Sequence, residues 1–433
     1  MPHVPLTRRD FLRSALLAPA AAGLRLPREA RAPALPPRLA PDEKEDEQYW
    51  NSLRWQFAFP EEEVYCQTAT LGACPKVVTE AVVAHLRWVE ESLAKWDYTE
   101  EKPERLAGYR DEKELRKKIA GFLGCEAEEV GLTQNATMGM NFVANGIDLE
   151  PGDEVLFTDM EHPGGRTGWD LKAKRRGIVV KEVSIPVPPN DPEEIVRRWE
   201  AATTSRTKAW AIPHVTSGLG LVLPVKRLCA RARERGIFTV VDGAQAVGHV
   251  AVNVRDLGCD AYFTSPHKWM LAPKGNGLLY IRREIQDRIW TTLASSQWDN
   301  RKDGMYRFMQ WGTVNQSLIR GLEAALDFFD RIGMARIERR IRFLGERLRK
   351  GLAQIPGARV SSSVHPDLVC GITTWRIEGM TSRALMDELW RRRRIRVRAV
   401  SEVWGARTST HIYVSPADVD SILEVARELA KAG

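Results

Sequence analysis

From Glu129 onwards the chain repeats one pattern, in which a short apolar run is followed by a polar or glycine turn and then by an amphipathic stretch. Several runs are apolar at every position, which is typical of strands covered on both faces. A helical stretch at residues 224–235 lies between two such runs, so the pattern predicts crossover units that build a mostly parallel sheet. The predicted strands are residues 130–133, 154–158, 178–183, 209–215, 237–241, 261–264 and 277–281.

The same pattern divides the chain into four predicted parts. Residues 1–40 are a signal and linker, 41–125 an N-terminal segment, 126–315 a large α/β domain with helices on both faces of a seven-stranded sheet, and 316–433 a connecting helix and a small α+β domain. The connecting helix is predicted at residues 316–352. The small domain is predicted to contain strands at 371–377 and 411–414 and helices at 382–391 and 417–432.

Composition excludes several classes of protein. With 43% hydrophobic and 28% charged residues, the chain is neither wholly disordered, collagen-like nor a multi-span membrane protein. The net charge is +7, but residues 1–40 hold seven Arg and two acidic residues and so contribute +5. The remaining +2 is too small for the basic face that a phosphate backbone requires, so no nucleic-acid partner is predicted.

The N-terminus has the pattern of an export signal. Arg8 and Arg9 precede a charge-free, Ala/Leu-rich run at residues 14–24, and a linker rich in Pro and Arg follows. This order is typical of twin-arginine signals, which direct folded proteins to the periplasm. The run is shorter than the roughly 20 residues that a membrane-spanning helix needs, so no stable anchor is expected.

The six cysteines show no spacing typical of a metal site, and no metal is predicted. Cys66 and Cys74 are close enough in sequence to pair in an oxidising compartment, and the sequence leaves that pairing open.

Two chemically distinctive residues follow neighbouring predicted strands. Asp242 comes directly after the run at 237–241, and Lys268 lies just beyond the run at 261–264. Ligands of such sheets bind beyond the carboxyl ends of the strands, so both side chains are expected in one crevice. A partly dry crevice disfavours the lysine ammonium and yields the free amine that Schiff-base chemistry needs. The acid is suited to keeping a cofactor's ring nitrogen protonated.

Over residues 60–430 the sequence resembles the class V aminotransferase family of fold type I pyridoxal-phosphate enzymes, most specifically in D-G-A-Q at 242–245 and S-x-H-K at 265–268. The resemblance implies pyridoxal 5'-phosphate as cofactor, with Lys268 forming the Schiff base and Asp242 pairing with the pyridinium nitrogen. It also implies that Gln245 binds the phenolic oxygen, and that Ser265 and His267 reach the phosphate.

Further positions match the family where the predicted strands end. Ala136 and Thr137 open a helix, and the resemblance places the phosphate on them. His162 corresponds to a histidine that stacks over the cofactor ring, although a core or helix-start role remains open for it. Thr313 corresponds to a threonine that touches the phosphate of the neighbouring subunit, which implies a homodimer with shared active sites. Arg407 corresponds to the arginine that clamps the substrate carboxylate.

Departures from the family pattern narrow the expected chemistry. A cysteine desulfurase needs a nucleophilic thiolate just before that arginine, and residues 391–407 contain no cysteine. Ser217 replaces a usual asparagine, Gln310 a usual acid, and residues 414–415 a usual Asn-Thr pair. These changes affect substrate contacts more than cofactor contacts, and they favour the branch typified by isopenicillin N epimerase.

In the expected reaction an amino-acid or peptide-like amine first displaces Lys268 from the cofactor, and the freed Lys268 then removes a proton from Cα. Epimerisation, transamination and loss of a β-substituent all remain open outcomes, as does a non-catalytic protein that only binds the cofactor. A nicotinamide-dependent dehydrogenase is disfavoured because no G-x-G-x-x-G follows the first predicted strand. His214 and His249 are expected to be structural, and the Arg tract at 391–398 to be solvated, unless part of it binds an acidic substrate.

Overall fold

A seven-stranded sheet forms the centre of the fold, with the strand order β2-β8-β7-β6-β5-β3-β4. The polar residues singled out in the sequence follow the ends of its strands. The structure is a computed structural model that describes residues 35–40, 46–95 and 111–432. The strands are β1 Val64–Tyr65, β2 Val130–Thr133, β3 Glu154–Thr158, β4 Val179–Val183, β5 Thr207–Pro213, β6 Phe238–Asp242, β7 Ala261–Thr264, β8 Gly277–Ile281, β9 Ala358–Val360, β10 Ile372–Ile377, β11 Ile395–Arg396, β12 Arg398–Ser401 and β13 Gly405–Ser409.

Helices connect these strands and cover both faces of the sheet. They are α1 Glu47–Arg54, α2 Lys76–Ser92, α3 Lys113–Leu123, α4 Ala136–Gly146, α5 Pro163–Arg176, α6 Pro192–Ala202, α7 Val225–Glu234, α8 Val254–Leu257, α9 Gln316–Ile332, α10 Met334–Leu352, α11 Ser382–Arg393 and α12 Pro416–Ala432. Short 3-10 helices occupy Leu93–Lys95, Ala127–Glu129, Arg283–Arg288, Tyr306–Met309 and Pro366–Leu368.

The predicted α/β architecture is confirmed. Within the sheet, β8 runs antiparallel to β2 and β7, whereas β7, β6, β5, β3 and β4 run parallel to one another. Successive side chains of a strand lie on opposite faces of the sheet. In β6, Val240 packs in one hydrophobic cluster and Val241 in another. The sheet is therefore buried on both faces, which explains the uninterrupted apolar runs.

Two expectations for the C-terminal region are wrong. Residues 411–414 form a turn in which the Val414 amide donates to the His411 carbonyl, and the strand ends earlier, at Ser409. Their apolar side chains are buried without ladder pairing, and burial alone produced the strand-like pattern. The connecting helix is also broken at Gly333, where φ is +91° and favours a residue without Cβ.

The N-terminal segment packs against the C-terminal region. A second, antiparallel sheet has the order β12-β13-β10-β9, and β1 pairs in parallel with β11 beside it. Trp50 and Leu53 of α1 are buried in the same cluster as residues of α10 and α12. This packing directs residues 67–72, which follow β1, across the carboxyl ends of the central strands.

Two sequence-based predictions concern the chain ends and membranes. Most of the predicted export signal, residues 1–34, lies outside the described residues, so export remains a prediction. In the ranges that the structure describes, no helix is both long and apolar enough to cross a bilayer.

All six cysteines lie in described ranges and are unpaired, Cys66 and Cys74 included. Burial raises the pKa of Cys125 and Cys229 to about 12 and that of Cys370 to about 11. The thiolate is the reactive form of cysteine. We therefore expect the folded protein at pH 8 to react slowly with a thiol reagent, and the denatured protein to react with six equivalents of reagent per chain. Titration without reductant measures this, and a denatured value of four would instead indicate one disulfide.

Candidate active site

A cavity of about 240 Å³ opens beyond the carboxyl ends of β2, β3, β5, β6 and β7. It brings together eight of the predicted site residues, namely Ala136, Thr137, His162, Asp242, Gln245, Ser265, His267 and Lys268. We call this cavity the strand-end crevice. Its other lining residues are Asn135, Glu161, Gly164, Pro213, Val215, Ser217 and Ala244.

The start of α4 forms one wall of the strand-end crevice and is suited to an anion. Asn135 caps the helix by accepting from the Met138 amide at 2.9 Å, and Ser265 Oγ accepts from the Ala136 amide at 2.9 Å. The Thr137 amide has no hydrogen-bond acceptor among the described residues. A free amide at the positive end of a helix dipole favours a phosphate.

Lys268 lies in the turn after β7 and is half-buried. Its ammonium has no hydrogen-bond acceptor among the residues that the structure describes. Burial lowers the pKa of Lys268; Asp242 opposes this shift, whereas Arg407 and Arg398 add to it. The neutral, nucleophilic amine is therefore more accessible here than on a solvated lysine.

Asp242 ends β6 and accepts from the Ala244 amide at 2.8 Å. Burial raises the pKa of Asp242, while that hydrogen bond and Lys268 oppose the shift. A second carboxyl, which the sequence analysis did not assign, lies beside it: a Cβ on Gly165 would stand 2.6 Å from Asp242 Oδ2 and 2.8 Å from Glu161 Oε1. Burial and Asp242 raise the pKa of Glu161, because two adjacent buried carboxylates repel.

Gln245 is held from both sides. Its Nε2 donates to the Ala69 carbonyl at 2.8 Å, and its Oε1 accepts from the Trp269 indole at 2.7 Å. One N–H of the amide remains for a ligand in the strand-end crevice. The Trp269 ring stacks on His249 at 3.5 Å, so His249 has the structural role expected for it.

His162 has the helix-start role that the sequence left open, and its stacking over the cofactor ring remains a prediction. It lines the strand-end crevice, and its Nδ1 accepts from the Gly164 amide at 3.0 Å at the start of α5. Partial burial and the charge of Lys268 lower the pKa of His162 to about 4, so its ring is neutral at pH 7.

Arg407 and Thr313 lie outside the strand-end crevice. Arg407, in β13, is 3% exposed, and its Nη1 donates at 2.6 Å to the carbonyl of Ser217, which lines the crevice. The arginine therefore adjoins the site through one residue. Thr313 is in an exposed turn before α9, and its contact with a neighbouring subunit remains a prediction.

A close contact that the sequence analysis missed holds the lysine turn in place. The Gly72 amide donates to the His267 carbonyl at 2.9 Å, and a Cβ on Gly72 would lie 1.8 Å from the Lys268 carbonyl oxygen. No local motif marks this glycine, since its neighbour is almost two hundred positions away in the sequence.

We expect Gly72→Ala to displace the lysine turn and to weaken cofactor binding at least tenfold, because a methyl group cannot occupy space already filled by backbone. Gly121→Ala is the matched control, since nothing lies within 4 Å of a Cβ there and the site is helical. Titration of both cofactor-free proteins with cofactor, followed by absorbance, makes the comparison. Equal affinities would contradict the proposed contact.

His214 is also structural, as expected, and its Nδ1 lies 3.0 Å from the Tyr262 hydroxyl. Burial lowers the pKa of His214 to about 4 from an ordinary 6.5, so between these pH values the unfolded chain binds the extra proton. Stability should therefore fall as the pH falls, by up to about 1.4 kcal/mol per pH unit from this group. Denaturant unfolding at pH 7 and pH 5 should show a smaller loss for His214→Gln, and equal losses would refute this assignment.

Known proteins share both this architecture and long stretches of this sequence. The model of the aminotransferase class-V family matches residues 106–423. The chain belongs to the class-V aminotransferase family. It is therefore a pyridoxal-phosphate-dependent enzyme, and the cofactor predicted from the D-G-A-Q and S-x-H-K motifs is confirmed.

Relatives within the family have different reactions. An isopenicillin N epimerase of Amycolatopsis lactamdurans is 34% identical over 73% of this chain and 84% of its own length. A probable cysteine desulfurase of Methanothermobacter thermautotrophicus is 27% identical over 86% of this chain and 95% of its own. The apo structure of a cysteine desulfurase from Thermococcus onnurineus superposes with a TM-score of 0.76 at 26% identity, covering 88% of this chain and 98% of that one.

Proposed function

We propose that this class-V enzyme removes the Cα proton of an amino-acid or peptide-like amine and that a solvent-derived proton then adds to the opposite face of Cα, as in an epimerase of the isopenicillin N epimerase type. The observation that carries the proposal is the amine of Lys268, which is half-buried in the strand-end crevice without a hydrogen-bond acceptor among the described residues. The relative named isopenicillin N epimerase, 34% identical to this chain, supports the choice of reaction.

The residues of the strand-end crevice fit the cofactor. Its aldehyde would meet Lys268, its ring nitrogen Asp242 and its phenolic oxygen the free N–H of Gln245. The Thr137 amide, the Ser265 hydroxyl and His267 would hold its phosphate, and the negative phosphate suits the end of α4. When bound, pyridoxal phosphate condenses with an amine and withdraws electrons from the bonds at Cα.

Lys268 and Arg407 then have complementary tasks. Lys268 Nζ, whose pKa is lowered by burial, takes the proton from Cα and is the general base. Arg407 binds the substrate carboxylate with its planar guanidinium and so fixes which Cα bond faces the base. Burial lowers the pKa of Arg407 to about 9, so the group still carries its charge at pH 7.

The thiols of this chain argue against a cysteine desulfurase. None of the six cysteines lines the strand-end crevice, and residues 391–407 contain none. The nearest in sequence to Lys268 is Cys259, whose pKa burial raises well above its ordinary value. A sulfur acceptor must be a thiolate, and burial keeps this thiol protonated.

Lys268→Ala should abolish both covalent attachment of the cofactor and Cα proton exchange, because no other described residue of the strand-end crevice carries a primary amine. Borohydride reduction followed by peptide mass spectrometry locates the attachment. Incubation with a panel of amines in deuterated water, with mass and chirality analysis, measures exchange and inversion. Lys208→Ala is the control, since Lys208 is exposed on β5.

The products distinguish the related reactions. Deuterium at Cα with inverted configuration supports the epimerase. Formation of a keto acid would instead indicate a transaminase. Release of a β-substituent would indicate a lyase. A labelled Lys268 without exchange on any amine would indicate a cofactor-binding protein that lacks catalysis.

A further inference from the structure

Two guanidinium groups meet at one hydroxyl beside the strand-end crevice. Arg407 Nη2 donates to Thr70 Oγ1 at 2.7 Å, and Arg398 Nη1 donates to the same oxygen at 3.1 Å. Gln67 Nε2 is a third donor, at 3.3 Å. A hydroxyl oxygen has two lone pairs, so these three donors exceed what Thr70 can accept.

The two guanidinium groups also lack a counter-ion. Neither Arg398 nor Arg407 pairs with a carboxylate of any residue that the structure describes. Arg407 is 3% exposed, and its Nε has no hydrogen-bond partner. A buried guanidinium with an unsatisfied N–H is costly, and a bound anion would remove that cost.

Neighbouring arginines of the tract at 391–398 are accounted for within the protein. Arg391 and Arg392 pair with Glu388 at 2.7 and 2.8 Å. Arg396 lies over the Trp390 ring at 4.0 Å. Arg398 instead lies at the start of β12, exposed and directed by its hydrogen bond towards Thr70.

The positive charges of this region act on one another. Arg398 lowers the pKa of Arg407, after the larger effect of burial, and both arginines lower the pKa of Lys268. Like charges this close oppose each other in a partly dry site, and an anion bound between them offsets the repulsion.

We propose that Arg398 binds a second acidic group of the substrate, so that the enzyme acts on amines that carry two carboxylates. This inference rests on the proposed function, in which buried Arg407 holds the carboxylate next to Cα. Arg398 is exposed, whereas Arg407 is buried, and Arg398 therefore meets an acidic group at the other end of the substrate. Thr70, which hydrogen-bonds both guanidinium groups, sets the spacing between the two anions.

The test compares ligands that differ only in the second charge. Glutamate and glutamine have the same shape, and their dissociation constants can be measured from the absorbance of the holoenzyme. We expect glutamate to bind about tenfold more tightly, the effect of one charge-assisted hydrogen bond. Added salt should reduce the difference.

Variants assign the effect to one residue. Arg398→Gln should lose the preference for glutamate and leave glutamine binding unchanged, whereas Arg396→Gln, the matched control, should keep the preference. Equal weakening of glutamate and glutamine in Arg398→Gln would show that both arginines clamp the one carboxylate and would overturn the inference. A preference that survives in Arg398→Gln would overturn it as well. Thermal unfolding checks that each variant is folded.

A second measurement separates this inference from the proposed reaction. Calorimetric titration of the cofactor-free protein with glutarate and with its monoamide measures the contribution of Arg398 to binding. Neither ligand has an amine, so the Schiff-base chemistry of Lys268 plays no part. Preference for glutarate together with an unlabelled Lys268 would refute only the proposed reaction. A labelled Lys268 together with equal binding of all pairs would refute only the dicarboxylate site.

Discussion

The two hydrogen bonds of the Gln245 side-chain amide are the interaction on which the site depends. One end of its amide bonds to Ala69 in the N-terminal segment, and the other accepts from Trp269, next to the reactive lysine. These two bonds join three stretches of chain that are distant in sequence. Each bond is buried, so losing one partner would leave an unsatisfied polar group and cost roughly 1–3 kcal/mol. The network thereby keeps the lysine turn in a single arrangement.

The sheet and most of the crevice could be predicted because local pattern and global fold agree. Strands buried on both faces have uninterrupted apolar runs, and parallel strands bring their carboxyl ends to one edge. The sequence therefore suffices to predict that Asp242 and Lys268 share one site, and both line the strand-end crevice. The family resemblance then identified the cofactor that these two residues serve.

The remaining features depend on contacts that no local pattern encodes. Gly72 meets the Lys268 carbonyl, and Thr70 joins Arg398 to Arg407, across separations that periodicity does not reveal. Glu161 has no sequence signal of its own, since nothing in the neighbouring sequence indicates that its carboxyl lies near Asp242. The turn at 411–414 was predicted as a strand because burial and ladder pairing give the same composition.

The parallel pairing of β1 with β11 has a consequence for biosynthesis. Strand β1 lies near the beginning of the chain and β11 near its end. During synthesis on the ribosome, β1 is therefore present long before β11 is available to pair with it. Contacts of such high sequence separation form late and slowly. This pairing can therefore form only when synthesis is nearly finished, and the unpaired edge of β1 must avoid aggregation until then.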